Sequence, residues 1–154
     1  MKIALASDHG GFRLKEELKE LLAQLNYQYQ DFGCGAESSV DYPDYSAVAA
    51  RAVAQGQCDL AVIVCGTGLG VAIAANKIKG IRAVTCHDCF SARMARQHNN
   101  ANVLTIGQRV IGSGLASLVV ETFLTSSFEG ERHLRRINKI AALEEHFGGE
   151  FPEQ

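Results

Sequence analysis

The fold turns on Leu60-Ala61-Val62-Ile63-Val64-Cys65-Gly66-Thr67-Gly68-Leu69-Gly70. Its five opening apolar residues suit a strand buried on both faces, as in a parallel sheet. A thiol follows at the mouth of a loop with three glycines in five positions. Val71 to Lys77 then reads as a helix. A glycine-rich turn entering a helix presents backbone N–H groups to an anion, and the helix dipole adds positive potential there. A nucleophile or base at Cys65 would stand beside an oxyanion or phosphate cradle.

Outward from that stretch, strands and helices alternate. Lys2 to Ser7 reads as an apolar strand, Asp8-His9-Gly10-Gly11 as a turn, and Phe12 to Leu25 as a helix with a leucine stripe. Tyr27 to Phe32 is a weaker strand. Asp41 or Asp44 is placed to cap the next helix, with Pro43 in its first turn. Its inner face is expected to be Tyr45, Val48, Ala49, Ala52 and Val53, and Gly56 lies just past its end. Strands follow at Ile81 to Thr85 and at Val103 to Ile106. The helix between them starts at Asp88 or Ser91 and runs to about His98. Ile111, Leu115, Leu118, Val119, Thr122 and Phe123 mark a further helix. Gly130 precedes a last one, from about Arg132 to Phe147, and the tail from Gly148 to Gln154 is expected to fray.

This alternation means an α/β fold: an open three-layer sheet of five parallel strands with helices on both faces. The expected order is Rossmann-like, 2-1-3-4-5. Ligands in such sheets sit at the carboxyl ends of the strands, near the switch point. The residues just past each strand are chemically rich: Asp8-His9, then Cys34 and Asp41-Tyr42, then Cys65 to Gly70, then His87-Asp88, then Arg109.

The chain of 154 residues reads as one domain over 1–154. Its formal charge of −2 gives no global attraction to nucleic acid or membrane. No apolar run reaches membrane-spanning length. Ile3-Ala4-Leu5-Ala6 is too short for a signal-peptide core. Five cysteines, an odd number, beside a full-sized apolar core fit free thiols in a reducing compartment, so a cytoplasmic protein is expected.

Each reactive group also has a plainer explanation. A buried cysteine is commonly a small apolar filler, but the loop after Cys65 favours a thiolate there. The glycine loop resembles a dinucleotide fingerprint, with Asp88 at a suitable distance. Its pattern is G-x-G-x-G, however, it follows the third strand, and little chain remains for a substrate domain. A compact cradle for one phosphate or oxyanion fits better. Cys86-His87-Asp88-Cys89 spaces two thiols as a redox pair would, or holds two unrelated ones. No second C-x-x-C or H-x-x-x-H completes a zinc site. His98 is a helix C-cap favoured by the dipole, or a proton carrier. Arg132, Arg135, Arg136 and Lys139 form a solvated basic face, or Arg132 and Arg136, four apart, clamp a phosphate with Arg109.

Taken together, Ser7-Asp8-His9-Gly10-Gly11-Phe12, Asp41-Tyr42-Pro43, Cys65 to Gly70, Ala74-Ala75-Asn76-Lys77, Gly80-Ile81-Arg82-Ala83, Arg96-Gln97-His98-Asn99 and Arg109 carry a resemblance. The chain resembles the ribose-5-phosphate isomerase B family, related to the galactose-6-phosphate isomerase subunits, from Lys2 to about Glu145. The resemblance implies reversible aldose–ketose isomerisation of ribose 5-phosphate and ribulose 5-phosphate, with no cofactor and no metal. It implies Cys65 as the base between C2 and C1. The amides of Gly66, Thr67, Gly68, Leu69 and Gly70, with Thr67 itself, become the anion hole for an enediolate. His98 becomes the ring-opening proton donor, with Asp8 and Tyr42 nearby, and Asn99 a sugar-hydroxyl contact. His9, Arg109, Arg132 and Arg136 become the phosphate end. Sites in this family lie between subunits, so the last helix is expected to reach a partner in a homodimer or dimer of dimers. The family often has Gly-Gly-Arg-His where this chain has Gly130-Glu131-Arg132-His133, which adds a negative charge beside the phosphate end. The same resemblance allows a six-carbon sugar phosphate, allose or galactose 6-phosphate. A nucleotide-binding module and a thiol redox or metal protein are the competing classes.

Overall fold

A computed structural model of the protein describes residues 1–145. The expected end of the last helix at Phe147 and the tail 148–154 lie outside those residues. The elements are β1 (Lys2–Ser7), α1 (Phe12–Gln24), β2 (Gln28–Asp31), α2 (Tyr42–Ala54), β3 (Leu60–Cys65), α3 (Leu69–Ala75), β4 (Ala83–Thr85), α4 (Cys89–Gln97), β5 (Val103–Gly107), α5 (Ser113–Thr125) and α6 (Glu131–Glu145). A single 3-10 turn, His9–Gly11, joins β1 to α1.

The five strands form one parallel sheet in the order β2-β1-β3-β5-β4. The α/β class and the first three positions match the expectation, but the last two strands are exchanged. β5 pairs with β3 through Ala61↔Val103 to Cys65↔Gly107, and β4 lies outside it. The physical reason is burial. All five residues of β5 are buried, whereas β4 has three residues and only Ala83 is buried. A strand apolar on both faces takes a central place, and a short, half-exposed one takes the edge.

Alternation along the strands divides the core into two layers of different grain. Ile3, Leu5, Val62, Val64, Leu104 and Ile106 face α1, α4 and α5 and meet Leu14, Leu18, Leu22 and Phe123. Ala4, Ala6, Ala61, Ile63 and Cys65 face the other way, toward Ala49, Ala50, Val71 and Ala75 of α2 and α3. Small residues on that side let α2 and α3 lie close to the sheet. They also correct the expected inner face of α2. Ser46, Ala49, Ala50 and Ala52 are buried there, and Val48 points outward. Ser46 Oγ donates to Val71 O at 2.6 Å, tying α2 to α3. Tyr42, Val48, Leu69 and Ile73 are left exposed on this layer.

Lys15 is 1% exposed, and its ammonium reaches Asp31 Oδ2 at 2.7 Å and Cys34 O at 2.9 Å. A buried cation needs such partners. The pairing draws the segment after β2 against α1, and Cys34 N donates to Ser7 O at 2.9 Å. No helix among the described residues is long and apolar enough to cross a membrane.

Candidate active site

The carboxyl edge of the sheet is built mainly from backbone packed against backbone. Cys65 closes β3, and its sulfur accepts a hydrogen bond from Gly68 N at 3.1 Å. Gly68 has φ +80°, the left-handed conformation that favours glycine, and it turns the loop into α3. Leu69 N donates to Thr67 Oγ1 at 3.4 Å. The amides of Gly66, Thr67 and Gly70 have no protein acceptor among the described residues. Unpaired donors grouped around a sulfur suit an oxyanion.

Neighbouring loops press onto this one. A methyl group on Gly11 would lie 2.5 Å from Val64 C and O, and one on Gly107 would lie 2.6 Å from Thr67 C. Asp8 is buried, and its Oδ1 accepts from Gly11 N at 3.1 Å, fixing the turn after β1. His9 Nδ1 accepts from Val40 N at 3.2 Å, which leaves the ring proton on Nε2 in the neutral form. Tyr42 lies across Gly70, where an added methyl would meet its ring at 2.8 Å. Arg109 N donates to Gly66 O at 3.1 Å, and a methyl on Gly66 would lie 3.5 Å from Arg109 Cδ, Nε and Cζ. Asp8, His9, Tyr42, Cys65 to Gly70 and Arg109 are therefore brought together, as the sequence suggests.

His98, Asn99, Arg132 and Arg136 are not brought to that edge. The strands are parallel and α4 runs back against them, so His98 at its C-cap lies near the strand beginnings. Asn102 O accepts from Ala61 N at the start of β3, and Asn100 O accepts from Arg82 Nε just before β4. β3 alone puts roughly 17 Å between its two ends, at a rise of ~3.3 Å per residue. His98 stacks on His133 with ring centroids 4.3 Å apart and planes within 8°. Glu129 Oε2 lies 3.9 Å from His98 Nε2 and 3.7 Å from His133 Nε2. Arg132 Nε donates to His133 Nε2 at 3.3 Å. Burial pushes the His133 pKa down, and the neighbouring His98 and Arg132 push it further. Asn99 and Arg136 are exposed.

His87, already marked by its place after a strand, has a structural role at this edge, and Thr85 with Thr105 and Gln108 add support that motifs do not reveal. His87 Nε2 accepts from Gly107 N at 2.9 Å, holding the loop that carries Arg109. Thr85 Oγ1 lies 2.8 Å from Thr105 Oγ1 and 3.2 Å from Gly68 O, under the glycine turn. Gln108 Oε1 accepts from Leu14 N at 2.8 Å. His87 follows a strand end, which is a signal; the threonines lie inside strands and carry none. As for Cys86, burial and then Asp88 push its thiol up to about 11, which disfavours a reactive thiolate.

The profile of the Ribose/Galactose Isomerase family matches residues 3–140. The chain belongs to the ribose/galactose isomerase family. It is 50% identical over 146 residues to a putative sugar phosphate isomerase of Bacillus subtilis, covering 94% of this chain and 98% of that one. It is 44% identical over 144 residues to ribose-5-phosphate isomerase B of Escherichia coli, covering 94% and 97%. The solved structure of ribose-5-phosphate isomerase B from Clostridium thermocellum superposes with a TM-score of 0.94 at 47% identity, covering 96% of this chain and all of that one. The glycine-loop edge and the histidine edge both fall within the span that matches the ribose/galactose isomerase profile.

Proposed function

We propose that the protein interconverts D-ribose 5-phosphate and D-ribulose 5-phosphate through an enediolate. The observation that carries this reading is the Cys65 sulfur at the rim of a loop whose Gly66, Thr67 and Gly70 amides have no protein acceptor among the described residues. Removing a proton next to a carbonyl needs a base and donors aimed at the developing oxyanion. Cys65 moves the proton between C2 and C1, and the amides with Thr67 hold the enediolate. His98 donates the proton that opens the furanose ring, with Asp8 and Tyr42 beside the sugar and Asn99 on a hydroxyl. His9, Arg109, Arg132 and Arg136 grip the phosphate, whose binding energy holds the reacting carbons in place.

Because His98 and Cys65 lie at opposite sheet edges of one chain, this reading requires two copies. The histidine edge of one chain completes the glycine-loop edge of another, in a homodimer or a dimer of dimers. Exposed apolar side chains support it: Tyr42, Val48, Leu69 and Ile73 on α2 and α3, and Leu134, Ile140 and Leu143 on α6. The reading carries a small-molecule substrate, a cytoplasmic setting and a single domain. A six-carbon phosphate, galactose or allose 6-phosphate, is the second reading, favoured by the family description that spans ribose and galactose.

The test is turnover of the purified protein on pentose and hexose phosphates, with Cys65→Ala alongside. Ribose 5-phosphate is expected to turn over fastest. The variant is expected to lose about 10²–10⁴-fold in kcat while staying folded, the usual contribution of a general base. Near-normal turnover of Cys65→Ala would remove it from the base role. Tight binding of NAD or ATP without turnover of any sugar phosphate would overturn the reading as a whole.

A further inference from the structure

We propose that His98, Glu129 and His133 form a binding site for a divalent cation of the zinc class. Their three ligand atoms all lie within 4.8 Å of one another. A cation holding imidazole nitrogens at about 2.1 Å and a carboxylate oxygen at about 2.0 Å needs donors roughly 3.3 Å apart. Closing that gap requires the side chains to rotate toward one another. The backbone is already stapled, because Glu129 N donates to Gln97 O at 3.0 Å, one residue before His98. Gly130 and Glu131, both at positive φ, then turn the chain so that His133 comes back beside Glu129.

The donors have the right chemistry. His133 Nε2 accepts from Arg132 Nε, so it presents the lone pair a cation requires. His98 caps the C-terminal end of α4, where the helix dipole is negative. Two nitrogens with one carboxylate select zinc, cobalt, nickel or copper over magnesium or calcium. Binding also has requirements of its own. The lone pairs of two parallel rings do not converge, so one ring must turn out of the stack, and Arg132 must release His133. The positive Arg132 and Arg136 oppose a cation, and Glu129 offsets only part of that. The site is therefore one of moderate affinity, with an open coordination position.

Metal binding at this triad goes beyond the isomerase reading and does not depend on it. One consequence does rest on it: a cation on His98 takes the side chain proposed to open the sugar ring, so occupancy would halt turnover on furanose substrate.

The test is cobalt(II) titration of the full chain, followed by visible and near-ultraviolet absorption. One cobalt per chain is expected, with d–d bands of nitrogen and oxygen coordination and no thiolate-to-cobalt band. Glu129→Gln, at a half-exposed position that leaves the fold intact, is expected to weaken binding by about tenfold or more, at least the loss seen when a partner behind a metal ligand is removed. His133→Gln is expected to do the same. No cobalt bands, a thiolate band throughout, or unchanged affinity in Glu129→Gln would each overturn the site. Cobalt bound at the triad with turnover unchanged would support the site and overturn the ring-opening role of His98, so the two claims fail separately.

Discussion

The two edges of the sheet are made of different material. At the carboxyl edge, Gly10, Gly11, Gly66, Gly68 and Gly107 let the loops touch backbone to backbone, and the Arg109 and Tyr42 side chains are laid over Gly66 and Gly70. At the amino edge, the polar groups are side chains: stacked imidazoles, a half-exposed carboxylate and exposed guanidinium groups. A backbone cradle is pre-organised and holds developing charge with little reorganisation. Side chains at a surface can swing and change protonation, which suits opening a ring and gripping a phosphate. The division places the backbone cradle where the electronic rearrangement is proposed and the side-chain groups where ring opening and phosphate binding are proposed.

The sharpest way to break this contrast is complementation between chains. Cys65→Ala and His98→Ala are each expected to be inactive alone. Refolded together in equal amounts, they are expected to recover about a quarter of wild-type turnover, since half of the dimers are mixed and each mixed dimer holds one intact site of two. No recovery, with mixed dimers demonstrated by mass, would mean that the two edges do not complete each other. Next in size is Gly11→Ala, whose methyl would meet Val64 main-chain atoms that have nowhere to go. A loss of about 1–3 kcal/mol of stability is expected in denaturant unfolding, as for other overpacked sites. Gly70→Ala sharpens the same point at smaller cost, because its methyl meets the half-exposed Tyr42 ring, which can swing aside. Its unfolding midpoint is expected to stay near wild type while KM rises as Tyr42 leaves the loop.

The smallest effect belongs to the amino edge. The His133 pKa is held below its ordinary 6.5, so the unfolded chain takes up that proton first as pH falls. Stability is expected to be unaffected by this group above pH 6.5 and to decline below it. His133→Gln is expected to flatten that decline in thermal melts between neutral and mildly acidic pH.

Much of the fold is legible in the residues themselves. The β3 stretch stands out because a two-sided apolar run has few other uses, and Gly66 to Gly68 mark the turn that enters α3. The order of β4 and β5 is not legible from strand patterns taken one at a time, because it depends on comparing their burial. Ala83-Val84-Thr85 is the shorter and more exposed strand, and that comparison settles the edge. The separation of His98 from Cys65 is readable in principle: one residue ends a strand and the other ends a helix that returns to the strand beginnings. Residue types carry no trace of it; chain direction does. Val48 escapes its expected place because helical periodicity marks apolar positions, while the buried positions of α2 are small: Ser46, Ala49, Ala50 and Ala52.

That alanine layer has a consequence for the spacing at the carboxyl edge. Ala4, Ala6, Ala49, Ala50, Ala61 and Ala75 act as shims between the sheet and the helices carrying Tyr42 and Gly70. The sulfur of Cys65 lies on the same side of the sheet. Thickening any one shim would press α2 or α3 away from the sheet, so the spacing between the sulfur and the Tyr42 ring over Gly70 is gauged by buried methyl groups.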